Sequence, residues 1–324
     1  MTQHHTLMTQ TIRQGAYAMT RITANEYEGL FAPCCHVYDS VDFCELNRHK
    51  ADSMHYLVVS DTKARFGIVL GERGGRLLSP FSAPFGGFTT NRAQRLEGME
   101  AATELLTSYA RGLGLTWRIT LPPLAYDCTQ LSKWANVLGR MGRLLYSDLN
   151  YHMPLHADTD YMDIITSGAR NKLRGAMRHG MELHKLRGDC RDDIARAYAV
   201  IRQNREEHGY PLRMSLDDVV ATAPVARADF FVLTHEGTDV AAAQIHNVAT
   251  GIAQVIYWGD IATASVLHPM NLLAALLYRH YADAGYRMLD IGPSTEDGVP
   301  NYGLCAFKED TGCYVSPKLV FGSL

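Results

Sequence analysis

Ionisable residues crowd one turn-rich stretch, LDIGPSTEDGVPNYGLCAFKEDTGCYV, from Leu289 to Val315. Its Gly, Pro, Ser and Asn content is turn chemistry, yet it carries Asp290, Ser294, Glu296, Asp297, Asn301, Tyr302 and Lys308. Such groups make the stretch either a solvated connection or the place where the protein's chemistry is done. Lys308 is the first catalytic candidate, a cation that can bind an anion or stabilise developing negative charge. The plain alternative is a solvated lysine at the start of a strand. Asp290 reads as a turn cap, and Glu296 and Asp297 as solvated turn acids before Gly298. Ser294, Asn301 and Tyr302 are candidates for binding polar groups of a substrate.

Three further groups bear on the same chemistry. Tyr257, with Trp258 and Asp260, closes a strand and is kept as a second catalytic candidate. His246, on the neighbouring strand, reads as a polar residue on an open face. Arg170, Arg174 and Arg178 recur at four-residue spacing, which puts them on one helical stripe. The stripe is either a phosphate site or a solvated face. In SPFSAPFGGF, Phe81 and Phe85 either line an acceptor groove or plug the core, the core being the better account for at least two of Phe81, Phe85 and Phe88. No metal is expected: no CxxC or HExxH occurs, and Pro154 between His152 and His156 breaks their helical spacing.

The elements that would position these groups follow from periodicity. In the first half, helical patterns near Ala24–Phe31 and Val41–Arg48 precede strands at His55–Ser60, Ala64–Arg73 and GRLLS. A helix near Asn91–Gly112, the strand LTWRITLP, a helix near Gln130–Met141 and a strand near Leu144–Pro154 follow. The second half repeats this order. A basic helix near Tyr161–His179 leads to the strand MELHKL and a helix near Asp192–Glu207. Three strand runs then form a meander with GT and ATG turns, and a helix opens at His268-Pro269. The strands YRMLDIG and CYVSPKLVF close the chain. The order argues for an α+β fold with mixed sheets.

Bulk properties set the frame. The chain has 324 residues, which suits two domains, and it is 47% hydrophobic and 20% charged, which suits packed cores. The expected division is a flexible lead over residues 1–19, one domain over 20–156 and another over 157–324. A net charge of -3 makes no demand for nucleic acid, and seven scattered cysteines fit reduced thiols. No secretory signal and no run of about 18 apolar residues is present, so no membrane insertion is expected and the cytoplasm is the expected compartment.

The meander, the Pro-opened helix, GYRMLDIG, the polar loop and FKEDTG together resemble the C-terminal half of FemAB-like acyltransferases, double-domain relatives of the GNAT N-acyltransferases. ARNKLRGAMRHGMELHKL (Ala169–Leu186) is similar to the basic helix and strand of that family, and SPFSAPFGGF to its aromatic/Gly loop. The resemblance spans most of Ile22–Phe321. It implies two tandem GNAT-like subdomains, each a mixed, mainly antiparallel sheet flanked by helices. It also implies an activated acyl donor and an amine acceptor on a small molecule, sugar or peptide. Relatives draw the acyl group from coenzyme A or from an aminoacyl-tRNA. The resemblance implies that Phe307 positions the donor and Lys308 polarises it. The usual pyrophosphate loop is lacking: the nearest string, Arg111–Thr116, fails at its last place and sits at a helix end, away from the amides that bind phosphate. No long charged helical hairpin of the kind used by some cell-wall relatives is present. Acyl-CoA is the favoured donor, aminoacyl-tRNA the alternative, and a non-catalytic binding module the third reading.

Overall fold

The computed structural model describes residues 11–324. They form two compact units, one running to Ser147 and completed by Pro317–Leu324, the other Asp148–Ser316. The division falls inside a long strand rather than at residue 156: Asn150–Pro154 of that strand pair with Met288–Pro293 of the second unit.

In the first unit the strands are β1 (Thr11–Gln14), β2 (Tyr17–Ile22), β3 (Ser53–Ser60), β4 (Ala64–Arg73), β5 (Arg76–Ser79), β6 (Phe88–Thr89) and β7 (Thr116–Thr120). The helices are α1 (Ala24–Phe31), α2 (Val41–Leu46), α3 (Leu96–Gly112) and α4 (Cys128–Met141). β1 to β5 form an antiparallel meander, α3 crosses over, and β7 pairs parallel to β5. The flexible lead is corrected over its described part. Residues 11–22 form the β1–β2 hairpin, turned at Gly15 with φ +56°, and β2 pairs with β3. The first ten residues of that lead lie outside the described residues.

β8 (Arg143–Pro154) carries the chain into the second unit, which holds α5 (Tyr161–Ile164), α6 (Ser167–Met177), β9 (Glu182–Leu186), α7 (Arg191–His208) and α8 (Leu216–Val225). The meander β10 (Asp229–His235), β11 (Thr238–Ala249) and β12 (Ile252–Asp260) follows, then α9 (Pro269–Asp283) and β13 (Met288–Pro293). A two-residue hairpin, β14 (Thr295–Glu296) and β15 (Val299–Pro300), leads to α10 (Tyr302–Asp310). β16 (Tyr314–Gly322) returns the chain to the first unit, where Val320–Gly322 pair with β7. The second unit's strand order is β8-β13-β12-β11-β10-β9, antiparallel except for β12–β13. Each unit thus has one parallel pair, made by a crossover helix after a meander. The fold is α+β, a mixed sheet flanked by helices.

Phe81 and Phe85 belong to the interior of the first unit. Phe85 has no exposed surface, and the edges of His36, Tyr38 and Tyr126 meet its ring at 4.9–5.1 Å. Phe81 packs on Gly71, where an added Cβ would lie 2.5 Å from the ring. Phe88 stacks on Trp134 at 4.5 Å. The core account therefore describes all three phenylalanines, which bury large apolar rings. Gly71→Ala is expected to cost about 1–3 kcal/mol by overpacking, read as a lower urea midpoint than wild type.

The basic helix is also corrected. It breaks at Ile165, and Thr166 caps α6 by accepting from the Ala169 N–H at 3.3 Å. α8 is a helix that the apolar periodicity does not predict. Its signal is Ser215-Leu-Asp-Asp218, in which Ser215 and Asp218 cap each other's backbone amides at 3.1 and 3.0 Å.

Candidate active site

The second unit's parallel pair is short. β12 and β13 are in register at Ile252–Met288, Ala253–Leu289 and Gln254–Asp290, and nowhere beyond. Past that point β12 continues with β11, through a register shift at Gln244/Ile245, and β13 continues with β8. The two strands part at their carboxyl ends, and backbone groups there need other partners.

Asp290 and Gly292 shape the parting on β13. Gly292 has φ +78°, a conformation that favours glycine, and its N–H donates to Asp290 Oδ1 at 2.8 Å. Asp290 is fully buried and accepts from Asn150 Nδ2 and Gln254 Nε2, each at 2.7 Å. It is the turn cap the sequence suggested and also the centre of a buried polar row. His152, Asp290, Gln254 and His246 are successive cross-strand partners, so they share one face of the sheet. His246 lies inside, not on an open face: it is 2% exposed, and burial pushes its pKa down to about 3. A neutral ring follows, and it contacts Gln244 Nε2 at 3.1 Å.

Lys308 is the other half of the arrangement. The strand start offered as the plain alternative for Lys308 is not found: Phe307 and Lys308 both lie in α10. Asn301 caps that helix, its Oδ1 accepting from the Leu304 N–H at 3.1 Å. The preceding hairpin turns at Asp297 and Gly298, both with positive φ, as two-residue hairpin loops favour. Asp148 Oδ1 ties it down by accepting from Thr295 Oγ1 at 2.7 Å and the Gly298 N–H at 3.1 Å. α10 then delivers Lys308 into the interior, only 4% exposed. Its Nζ donates to the carbonyls of Ile291 at 3.2 Å, Gly292 at 2.9 Å and Pro293 at 3.0 Å. These are the β13 residues beyond the last pair with β12. The Tyr151 ring lies 5.4 Å from Nζ.

Three acceptors require three N–H groups, so the geometry fits the ammonium form. Burial opposes the charge and lowers the pKa from its ordinary 10.5 to about 8, while the Asp290 carboxylate acts the other way. Lys308 is thus a desolvated cation beside the parting strands, where charge acts strongly.

The other candidates divide by location. Phe307, half-buried, meets Trp258 edge to face at 6.0 Å. Tyr257 lies on β12 past the last pair with β13, and its hydroxyl accepts from the Arg213 N–H at 3.2 Å. Ser294 is 3% exposed, and its Oγ has no hydrogen-bond partner among the described residues. Tyr302 is 80% exposed. The arginine stripe does not converge: Arg170 turns back on the carbonyls of Met162 and Ile165 at 2.9 and 3.4 Å, while Arg174 and Arg178 are exposed. Sequence reading missed Arg205 of α7, whose guanidinium carbon sits 5.1 Å from the Tyr257 ring centroid and 5.7 Å from that of Tyr210. Nothing in its charged surroundings, RQNREEHGY, marks it out.

Residues 167–308 match the family model described as an acetyltransferase (GNAT) domain. No match is found among curated proteins. Among solved structures, the chain is similar to FemX, with 13% identity and a TM-score of 0.68 over 94% of this chain and 97% of that one. The C-terminal domain of a putative lysylphosphatidylglycerol synthetase from Agrobacterium fabrum gives 14% identity and a TM-score of 0.60 over 93% and 92%. A tandem GNAT protein from the clavulanic acid biosynthesis pathway gives 12% and 0.52 over 95% and 98%.

Proposed function

For a chain with a GNAT/FemAB-like fold, we propose an N-acyltransferase that moves an acyl group from acyl-CoA to an amine of a small molecule, sugar or peptide. The observation that carries this reading is the buried Lys308 ammonium at the carboxyl end of the parting β12–β13 pair. In the reaction the amine nitrogen bonds to the acyl carbon, the carbon–sulfur bond breaks, and the amine proton leaves to a base. Negative charge gathers on the carbonyl oxygen in between, and a fixed cation in a dry site lowers that barrier. Because three carbonyls already hold the Lys308 N–H groups, it acts by its charge and by fixing β13, with a direct bond to the oxyanion only if it shares one N–H. Phe307, Asn301, Tyr302, Ser294 and Tyr257 supply the surrounding wall, and the exposed Arg174 and Arg178 remain available for a donor's phosphates.

An aminoacyl-tRNA donor is the alternative, kept by the likeness to FemX and to the lysylphosphatidylglycerol synthetase domain. Net charge -3 favours acyl-CoA. Incubation with acyl-CoAs or charged tRNAs and an amine panel, followed by mass spectrometry, tests the reading. Binding that falls steeply with salt would favour tRNA. Absence of product with every donor, despite donor-induced thermal stabilisation, would favour a binding module.

The reading also fixes a pH dependence. Lys308 is charged below about 8 and loses its charge above it, so kcat/KM should fall as pH rises through about 8, a limb absent from Lys308→Met. Stability should move oppositely. Between about 8 and the ordinary 10.5 the unfolded chain holds the extra proton, so this lysine makes unfolding harder as pH rises. A pH–rate profile without that limb would remove the charge from the mechanism.

A further inference from the structure

α7 carries four arginines, and three pair with carboxylates: Arg191 with Asp217 at 2.6 Å, Arg196 with Asp239 at 2.7 Å and Arg202 with Glu206 at 3.7 Å. Arg205 does not. Among the described residues it has no carboxylate partner, and its Nε is buried without a hydrogen-bond acceptor. Its terminal nitrogens also lack acceptors but are not sealed from solvent. The Tyr257 and Tyr210 rings cover the guanidinium, which removes water while leaving the edge donors unmatched. Burial accordingly makes the Arg205 cation less favourable.

A second cation lies within reach of its field. The charge on Arg205 reaches Lys308 and adds to the lowering of its pKa. Tyr210 is tied to the same helix as Lys308, since Asn301, the cap of α10, donates to the Tyr210 hydroxyl at 3.4 Å. Two like charges that feel each other's field, one of them with unmatched fork donors, are an arrangement that a two-oxygen anion would relieve.

We propose that Arg205 is an anion-binding residue of the second unit: a substrate carboxylate or phosphoryl group sits on its terminal nitrogens, flanked by Tyr210 and Tyr257, within the field of Lys308. Arg205 belongs to none of the motifs that carry the family resemblance. The site stands on its own geometry, and only the identity of the molecule bearing the anion rests on the acyl-transfer reading.

Thermal midpoints of the whole chain, wild type, Arg205→Lys and Arg205→Met, are measured against inorganic phosphate, acetate and chloride at matched ionic strength. Wild type should show a saturable rise with phosphate, assigning a phosphoryl ligand, or with acetate, assigning a carboxylate. The midpoint concentration should rise at least about tenfold in Arg205→Met, with Arg205→Lys between. Equal saturation in wild type and Arg205→Met, or no saturable response beyond chloride, overturns the proposal. Should Arg205→Met fail to fold, titrating the Arg205 Nε–H resonance of wild type gives the same decision by its shift or its constancy. Anion binding without acyl transfer would sink the enzyme reading and leave this site standing. Acyl transfer with kcat/KM unchanged in Arg205→Met would sink this site alone.

Discussion

Replacing Lys308 by methionine should lower turnover by about 10²–10³-fold, the scale of losing one fixed electrostatic contact to a developing oxyanion. Methionine keeps an unbranched stem for the Tyr151 side of the pocket but leaves the carbonyls of Ile291, Gly292 and Pro293 without the ammonium. Orphaned buried acceptors cost about 1–3 kcal/mol each. Removing a desolvated charge offsets part of this, so a net stability loss of about 1–3 kcal/mol is expected. The two effects separate experimentally. Steady-state rates well below the Tm report the first, and urea midpoints the second. A variant that loses stability but turns over at the wild-type rate would make Lys308 a brace for β13 and nothing more.

Asp290→Ala should be the most destabilising single change in the second unit, by about 3–5 kcal/mol. The carboxylate has no solvent contact and gathers Asn150 Nδ2, Gln254 Nε2 and the Gly292 N–H. Alanine strands all three donors at once. Asp290→Asn keeps the volume, but its own NH2 must face one of the two side-chain amides, so a smaller loss, about 1–3 kcal/mol, is expected. Urea unfolding ranks the pair, and hydrogen exchange at Gly292 should quicken in both. An Asp290→Ala protein as stable as wild type would show that the buried row does not hold the parting of β13 from β12.

The sequence made the strands and long helices legible because their apolar periods are strong. β4 (Ala64–Arg73) was read to its ends, and β3, β8 and α7 within two residues of theirs. Short capped helices were not legible. α10 has a weak apolar face and a Gly/Pro-rich approach, so Asn301 as its cap was the only local sign. The resemblance singled out Lys308, but composition could not foresee its surroundings: whether a lysine is solvated or caged depends on carbonyls 15–17 residues earlier in the chain. Arg205 was still less visible. Two of its neighbouring arginines also lie in acidic surroundings, and only the positions of Tyr210 and Tyr257 distinguish a covered guanidinium from a paired one.

The return of the chain in β16 has a consequence for biosynthesis. Val320, Phe321 and Gly322 are the partners of Thr120, Ile119 and Arg118, and Phe321 is 2% exposed in the first unit's interior. Translation proceeds from the amino end, so that segment leaves the ribosome only after the whole second unit. Throughout that interval β7 lacks its outer neighbour, and a nascent first unit presents an open sheet edge to other chains. The earlier-made unit is therefore the later to be finished, and premature termination near the end of the message would damage the opposite end of the polypeptide.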